Sequence, residues 1–278
     1  MQCAWDALLA VLPQWMRAQV DNLARDTLQE VRLRAGEPPE LVLRAGMRRL
    51  ARKAVQEDLN FSVSAASRYS PWNQASAAQG YLTAPGGHRI GLCGEAVVKN
   101  GEMTGFRRVT GLCIRVARDF PGIAARAADV SGSVLILGSP GSGKTTLLRD
   151  LARLRAERET VAVVDERGEL FPENAAGFSR GVHMDVLSGC AKRQGVELLL
   201  RCMGPQCIAV DEITAESDCE ALLQAGWCGV TLLATAHARD RTDLLRRPVY
   251  RPLAESRLFG TLLVLSHDKS WHMERMEG

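Results

Sequence analysis

The sequence predicts an α/β fold: a parallel sheet with helices on both faces over residues 122–278, preceded by a smaller α+β domain over 1–121. Three observations carry this. Val134-Leu135-Ile136-Leu137, Val161-Ala162-Val163-Val164, Cys207-Ile208-Ala209-Val210 and the stretch 230–234 are short apolar runs with little polar alternation, the pattern of strands buried on both faces. Helical stretches separate them, as in βαβ units. Before Pro121-Gly122 the pattern is mixed, with alternating strands, a helix and closely spaced turn signals.

In the first part, Trp15, Met16, Val20 and Leu23 recur at helix-like spacing. Val31 and Leu33 alternate with Glu30, Arg32 and Arg34, which predicts a half-buried strand ended by Gly36-Glu37-Pro38-Pro39. Tyr81-Leu82-Thr83 and Arg89-Ile90-Gly91-Leu92 flank Pro85-Gly86-Gly87, a hairpin pattern. Val97-Val98 leads into Asn100-Gly101, a strong tight-turn signal.

The chain has 278 residues, 46% of them hydrophobic, enough for a sizeable core. A net charge of +3 does not by itself argue for nucleic acid or an anionic membrane. No pair of the eight cysteines has C-x-x-C spacing, so reduced, mostly buried thiols are expected rather than a zinc site or disulfide framework. Asp6 interrupts the start of the chain and no basic segment leads it, so no secretory signal is expected. The uncharged stretch 221–238 contains Gln224, Gly226, Gly229 and two threonines, and reads as helix, turn and buried strand rather than a membrane span.

Gly138-Ser139-Pro140-Gly141-Ser142-Gly143-Lys144-Thr145 fits G-x-x-x-x-G-K-[ST], between a buried strand and a helix. Glycines let the backbone N–H groups converge on an anion, and the following helix adds its positive end. Lys144 supplies a charge for the β and γ phosphates, and Thr145 a hydroxyl for Mg²⁺, with Thr146 next on the helix. ATP and Mg²⁺ are the expected ligands.

Three other strand ends carry chemistry. Asp211-Glu212 follows one apolar run, at the end where parallel sheets bind ligands. Asp211 is expected in the Mg²⁺ shell, and Glu212 as the base that orients or deprotonates water. Asp165-Glu166-Arg167-Gly168-Glu169 follows another run and offers Glu166 or Glu169 as a second acid. Thr235-Ala236-His237 ends a third, and His237 is a candidate γ-phosphate sensor. Solvated strand-end charges and a structural histidine are the plainer alternatives.

Taken together, the spacing of Gly138, Asp165, Asp211-Glu212 and His237 resembles the type II/IV secretion ATPases, RecA-like motors with an N-terminal domain. Their catalytic acids match Glu212 and Glu166 or Glu169, and their histidine box matches His237. A closer resemblance, running along nearly the whole chain, is to the stage III sporulation AA family. It includes Glu30-Val31-Arg32-Leu33-Arg34, Gly86-Gly87-His88-Arg89-Ile90-Gly91, Val164-Asp165-Glu166-Arg167 and Ala234-Thr235-Ala236-His237. The chain departs from that family at His183, Thr214 and Gly260, where arginine, glycine and arginine are usual.

The resemblance implies a cytoplasmic ATPase, peripheral at a membrane through partners, that energises a channel made by sporulation membrane proteins. It also implies a homo-oligomeric ring of six subunits, with an arginine reaching a neighbour's phosphates. Arg89, Arg115 and Arg108 are candidates because relatives place arginines there. The competing readings are a nucleic-acid motor on a RecA-like core and a nucleotide-gated switch that barely hydrolyses. Aromatics are 5% of residues and are not interleaved with a basic stripe, so no nucleic-acid partner is expected.

Overall fold

The computed structural model describes residues 1–67, 78, 80–172 and 178–276. The chain divides into two compact units, Met1–Asp119 with Pro172 and Phe178, and the remainder from Phe120.

In the first unit, α1 (Trp5–Val11), α2 (Gln14–Asp21) and α3 (Gln56–Ser67) accompany an antiparallel sheet. Its strands are β1 (Leu28–Arg34), β2 (Glu40–Leu43), β3 (Gly46–Arg49), β4 (Tyr81–Thr83), β5 (Arg89–Lys99) and β6 (Glu102–Arg115), in the order β3-β2-β1-β6-β5-β4. Trp15, Met16 and Val20 lie on α2 as expected, whereas Leu23 falls beyond its end at Asp21. Val31 and Leu33 of β1 turn into the core with Trp5, Leu8, Met16 and Leu59, while Arg34 is exposed. Asn100 and Gly101 take φ of 53° and 82° and join β5 to β6 as a two-residue hairpin, the left-handed pair that matches strand twist.

His88 locks this unit from inside. It is fully buried, and its Nδ1 accepts the Ala117 N–H at 3.1 Å. Nδ1 therefore carries the lone pair, and Nε2–H donates to the Ala4 carbonyl at 3.0 Å. Burial pulls this imidazole below its usual pKa.

In the second unit, β7 (Val134–Leu137), β8 (Val161–Asp165), β9 (Met184–Ser188), β10 (Cys207–Ile213), β11 (Thr231–Ala236), β12 (Thr261–Leu265) and β13 (Trp271–Arg275) form one sheet. Its order is β13-β12-β7-β11-β10-β8-β9, parallel except for the antiparallel edge pair β12–β13. The helices are α4 (Lys144–Arg155), α5 (Lys192–Cys202), α6 (Glu216–Trp227), α7 (Arg241–Arg246) and α8 (Arg251–Glu255). Successive residues of β7 feed opposite layers. Val134 and Ile136 pack with Leu147, Leu148 and Leu151 of α4. Leu135 and Leu137 face the layer that holds Val196 of α5 and Leu222 of α6. Two buried layers explain why β7 has no polar position.

One expectation is corrected. The cysteines are free but not mostly buried: Cys207 and Cys219 are buried, while Cys93, Cys202 and Cys228 are exposed. Cys202 ends α5 and Cys228 follows α6, where helices run out of the core. The sheet also extends beyond the four apolar runs, because β9, β12 and β13 add to its two edges. Among the described residues, no helix is long and apolar enough to cross a membrane.

Candidate functional site

In the order β7-β11-β10-β8 the strands are parallel, so their C-terminal ends lie along one edge of the sheet. The glycine-rich loop follows β7, His237 follows β11, Asp211 and Glu212 lie at the end of β10, and Asp165 ends β8.

The loop needs its glycines for two distinct reasons. Gly143, immediately before α4, has a φ of 104°, a value that strains any side chain. Gly138 has no room instead: a Cβ there would lie 2.5 Å from Ser142 Oγ and 3.2 Å from Leu265 Cβ. Ser142 is buried under the loop, Ser139 is half-buried, and Pro140 and Gly141 are exposed at its tip. The unpaired N–H groups and positive end of α4 begin here, which is what an anion requires.

Lys144 opens α4 and is only 7% exposed. Its ammonium donates to the Gly138 carbonyl at 2.9 Å, the Ser139 carbonyl at 3.1 Å and His237 Nδ1 at 3.1 Å. An ammonium has no acceptor, so Nδ1 carries the lone pair and the ring proton sits on Nε2. Nε2–H donates to Glu212 Oε1 at 2.9 Å. A chain Lys144–His237–Glu212 thus crosses the ends of β7, β11 and β10. Burial pulls the Lys144 ammonium below its usual pKa, against the pull of the Asp211 and Glu212 carboxylates.

Thr145 Oγ1 donates to Asp211 Oδ2 at 2.8 Å. Thr235 Oγ1 donates to Asp211 Oδ1 at 2.8 Å and accepts the Glu212 N–H at 2.8 Å. The Thr145 hydroxyl and the Asp211 carboxylate are hard oxygen donors, and they fit a magnesium ion that takes its other ligands from phosphate and water. Among the described residues, no group of three or more His, Cys, Asp and Glu could hold a metal by itself.

Glu212 sits on a bulge. Val210 pairs with Ala234 and Ile213 with Ala236, so β10 carries one residue more than β11 over this interval. Glu212 absorbs it with a φ of 41°, a left-handed conformation that costs of order 1–3 kcal/mol for a residue of this kind. The bulge re-aims the two carboxylates that an unbroken strand would send to opposite faces.

The other acids separate into distinct surroundings. The Asp165 carboxylate accepts the N–H groups of Glu169, Leu170 and Phe171 at 2.8–3.0 Å, so it organises its own loop. Arg149 of α4 donates to the Glu169 and Leu170 carbonyls and ties that loop to the helix. Glu166 pairs with the buried Lys192 at 2.5 Å. Arg167 Nη1 lies 3.6 Å from Glu212 Oε2, so both oxygens of Glu212 face a donor. Thr146 is half-buried on α4. Arg89 and Arg115 belong to the first unit, directly paired across β5 and β6. Arg89 stacks on the Tyr81 ring at 4.2 Å, Arg115 Nε lies 3.5 Å from Glu30, and Arg108 bonds Gln56.

Sequence reasoning overlooked Thr235 as a ligand of Asp211, although its strand position gave a signal: it stands two residues before His237 and so faces the same way. It also overlooked Tyr250 and Lys192, for which spacing offered nothing.

A family model described as "Sporulation stage III, protein AA" matches residues 6–275. The stage III sporulation protein AA of Bacillus subtilis is 35% identical, over 93% of this chain and 90% of its own. Among solved structures, the Legionella pneumophila ATPase DotB is similar with a TM-score of 0.61 and 18% identity, over 95% of this chain and 80% of its own. The pilus retraction motor PilT gives 0.60 and 13%, over 88% and 76%. These two likenesses show that the chain shares the fold of these two structures, a parallel-stranded α/β unit with an N-terminal piece. On the family match and the Bacillus relative, the chain belongs to the stage III sporulation protein AA family.

Proposed function

We propose that this chain is an ATP hydrolase whose turnover drives a secretion-like channel complex of sporulation membrane proteins. The observation that carries the reading is the joining of Lys144, His237 and Glu212 into one hydrogen-bonded chain, beside the Thr145–Asp211 pair. A phosphate-binding lysine, a magnesium-type oxygen pair and a carboxylate able to orient water stand at one sheet edge.

In this mechanism the loop 138–143 and the start of α4 receive the phosphates, and Lys144 turns its charge toward the β and γ groups. Thr145 and Asp211 would hold a magnesium ion, which would supply charge neutralisation. Glu212 accepts a hydrogen bond from the attacking water. The water oxygen bonds to the γ-phosphorus as the bond to the bridging oxygen breaks, ADP leaves with that oxygen and its electron pair, and the water's proton passes to Glu212 and from it to the phosphate product. His237 and Arg167 keep the Glu212 carboxylate aimed. An arginine of a neighbouring subunit in a six-membered ring, Arg89 or Arg115, completes the charge stabilisation. The name of the relative supports the sporulation setting, and the names of the structural neighbours, an ATPase and a pilus retraction motor, support ATP-driven work.

Steady-state hydrolysis tests the reading. Glu212→Gln keeps the shape and removes the carboxylate, so turnover falls at least ~10²-fold while ATP still binds. A rate within about threefold of the parent excludes Glu212. A parent that binds ATP and does not turn over, with or without sporulation membrane proteins, favours a nucleotide-gated switch.

A further inference from the structure

We infer that Tyr250 is a positioning residue of the site, its hydroxyl holding the Glu212 and His237 strand ends in register across the β10 bulge. The inference rests on the hydrolase reading above and extends it to a residue outside every motif.

The bulge creates a local problem. β10 and β11 are bonded side by side up to Val210 and Ala234, but the extra residue interrupts the ladder where Glu212 and His237 must face each other. Backbone groups there need other partners. Two hydroxyls supply them. Thr235 Oγ1 takes the Glu212 N–H at 2.8 Å. Tyr250 Oη accepts the His237 N–H at 3.1 Å and donates to the Ile213 carbonyl at 3.1 Å. One phenol oxygen therefore bridges the residue after Glu212 on one strand to His237 on the next. It spans the interval at which the side chains meet at 2.9 Å.

Tyr250 is built for this. It lies in the short 3-10 turn Pro248–Tyr250, which precedes α8. It is 4% exposed and packed in the core layer with Cys219, Leu222 and Leu253. A buried phenol with both its donor and its acceptor used has little freedom to turn. Tyr250 ties the His237 backbone to the strand that carries Glu212, so the imidazole that donates to Glu212 Oε1 is kept within reach of the carboxylate.

The test uses the full-length protein with Mg-ATP. Tyr250→Phe keeps the ring and removes only the oxygen. We expect kcat to fall about tenfold with KM and nucleotide affinity within about twofold. A residue that merely filled the core would lower the melting temperature without this split. The same change in a His237→Ala background is expected to cost less than about twofold, because Tyr250 acts through His237. Amide exchange at His237 reports the bond without any turnover and is expected to speed up in Tyr250→Phe. It also serves if that variant folds poorly at the assay temperature, since exchange can be read in the cold. Unchanged His237 exchange, or kcat within about twofold of an active parent, overturns the inference and leaves the hydrolase reading standing. Full additivity with His237→Ala also overturns it. A parent with no turnover removes the hydrolase reading and this inference together.

Discussion

His237 Nε2 stands 2.9 Å from Glu212 Oε1, while the opposite nitrogen of the same ring accepts a hydrogen bond from Lys144 at 3.1 Å. The imidazole links the lysine of the glycine-rich loop to the carboxylate at the end of β10, and each of its nitrogens has one role. The ring tautomer is dictated by Lys144, which can only donate.

His237→Ala removes the link and leaves Glu212 with Arg167 at 3.6 Å as its remaining charged neighbour among the described pairs. Nucleotide affinity should change little and kcat should fall about 10–100-fold, the range expected when a reacting group loses its aim. His237→Gln offers a donor on one side only and should recover part of the rate. Equal kcat in parent and alanine variant would leave His237 a packing residue.

How much of this was legible in the sequence follows from burial. β7, β8, β10 and β11 are covered on both faces, so their apolar runs announce them, and the glycine-rich loop and strand-end acids are fixed relative to those runs. β9 and β13 sit at the sheet edges, half-exposed, and carry polar residues such as Asp185 and Glu274, which blur the pattern. The division of labour among the acids was hidden as well. Asp165, Glu166 and Glu169 look alike in sequence, and only the backbone's return path gives Asp165 three amides and Glu166 a buried lysine. Tyr250 reaches the site from 37 residues beyond Ile213, a separation that no local period records.

Gly195 shows how tightly α5 is pressed on the site. A Cβ there would lie 2.5 Å from Val164 Cγ1 and 3.1 Å from Cys190 Sγ. Alanine in a helix interior is ordinarily worth about 1 kcal/mol over glycine. Here the clash is with a β-branched residue of β8 that cannot retreat, so the sign reverses. Gly195→Ala should destabilise the second unit by about 1–2 kcal/mol in denaturant unfolding. A gain in stability would mean that α5 stands farther from β8.

His88 predicts a pH dependence in the first unit. Its folded pKa lies below the usual 6.5 because burial disfavours the imidazolium, and Ala117 N–H already occupies Nδ1. Below pH 6.5 the unfolded chain binds a proton that the folded chain refuses. Stability is therefore full above that pH and declines as pH falls toward the folded value, by at most about 1.4 kcal/mol per pH unit from this one group. Urea midpoints measured from pH 7.5 to 5 should fall more steeply in the parent than in His88→Gln, which does not titrate. Parallel curves would show that His88 takes its proton without loss.

An arginine of a neighbouring subunit is expected to complete the site. In the second unit Arg167 faces Glu212, Arg149 is spent on the Glu169 and Leu170 carbonyls, and Arg155 holds the Val130 and Gly132 carbonyls. These arginines already have structural work. Arg89 and Arg115 of the first unit are paired side by side on β5 and β6, and the Arg115 side chain is 65% exposed. In a head-to-tail ring each site would take its phosphate loop from one subunit and an arginine from the next, an interface that is heterologous and closes only when the rotation per subunit divides a full turn. Mixing separates this from a self-sufficient site. Lys144→Ala protein lacks a working loop and Arg89→Ala protein lacks the donated arginine, so each alone should be nearly inactive. In an equimolar random mixture about a quarter of the junctions join an intact Lys144 to a neighbour's intact Arg89, and activity should recover toward that fraction. Specific activity of the parent should also rise with protein concentration as rings assemble. If the mixture stays at the level of its components, the same experiment with Arg115→Ala decides between the two arginines. Specific activity that is flat on dilution, in a protein that stays monomeric with ATP bound, would place the whole site within one chain.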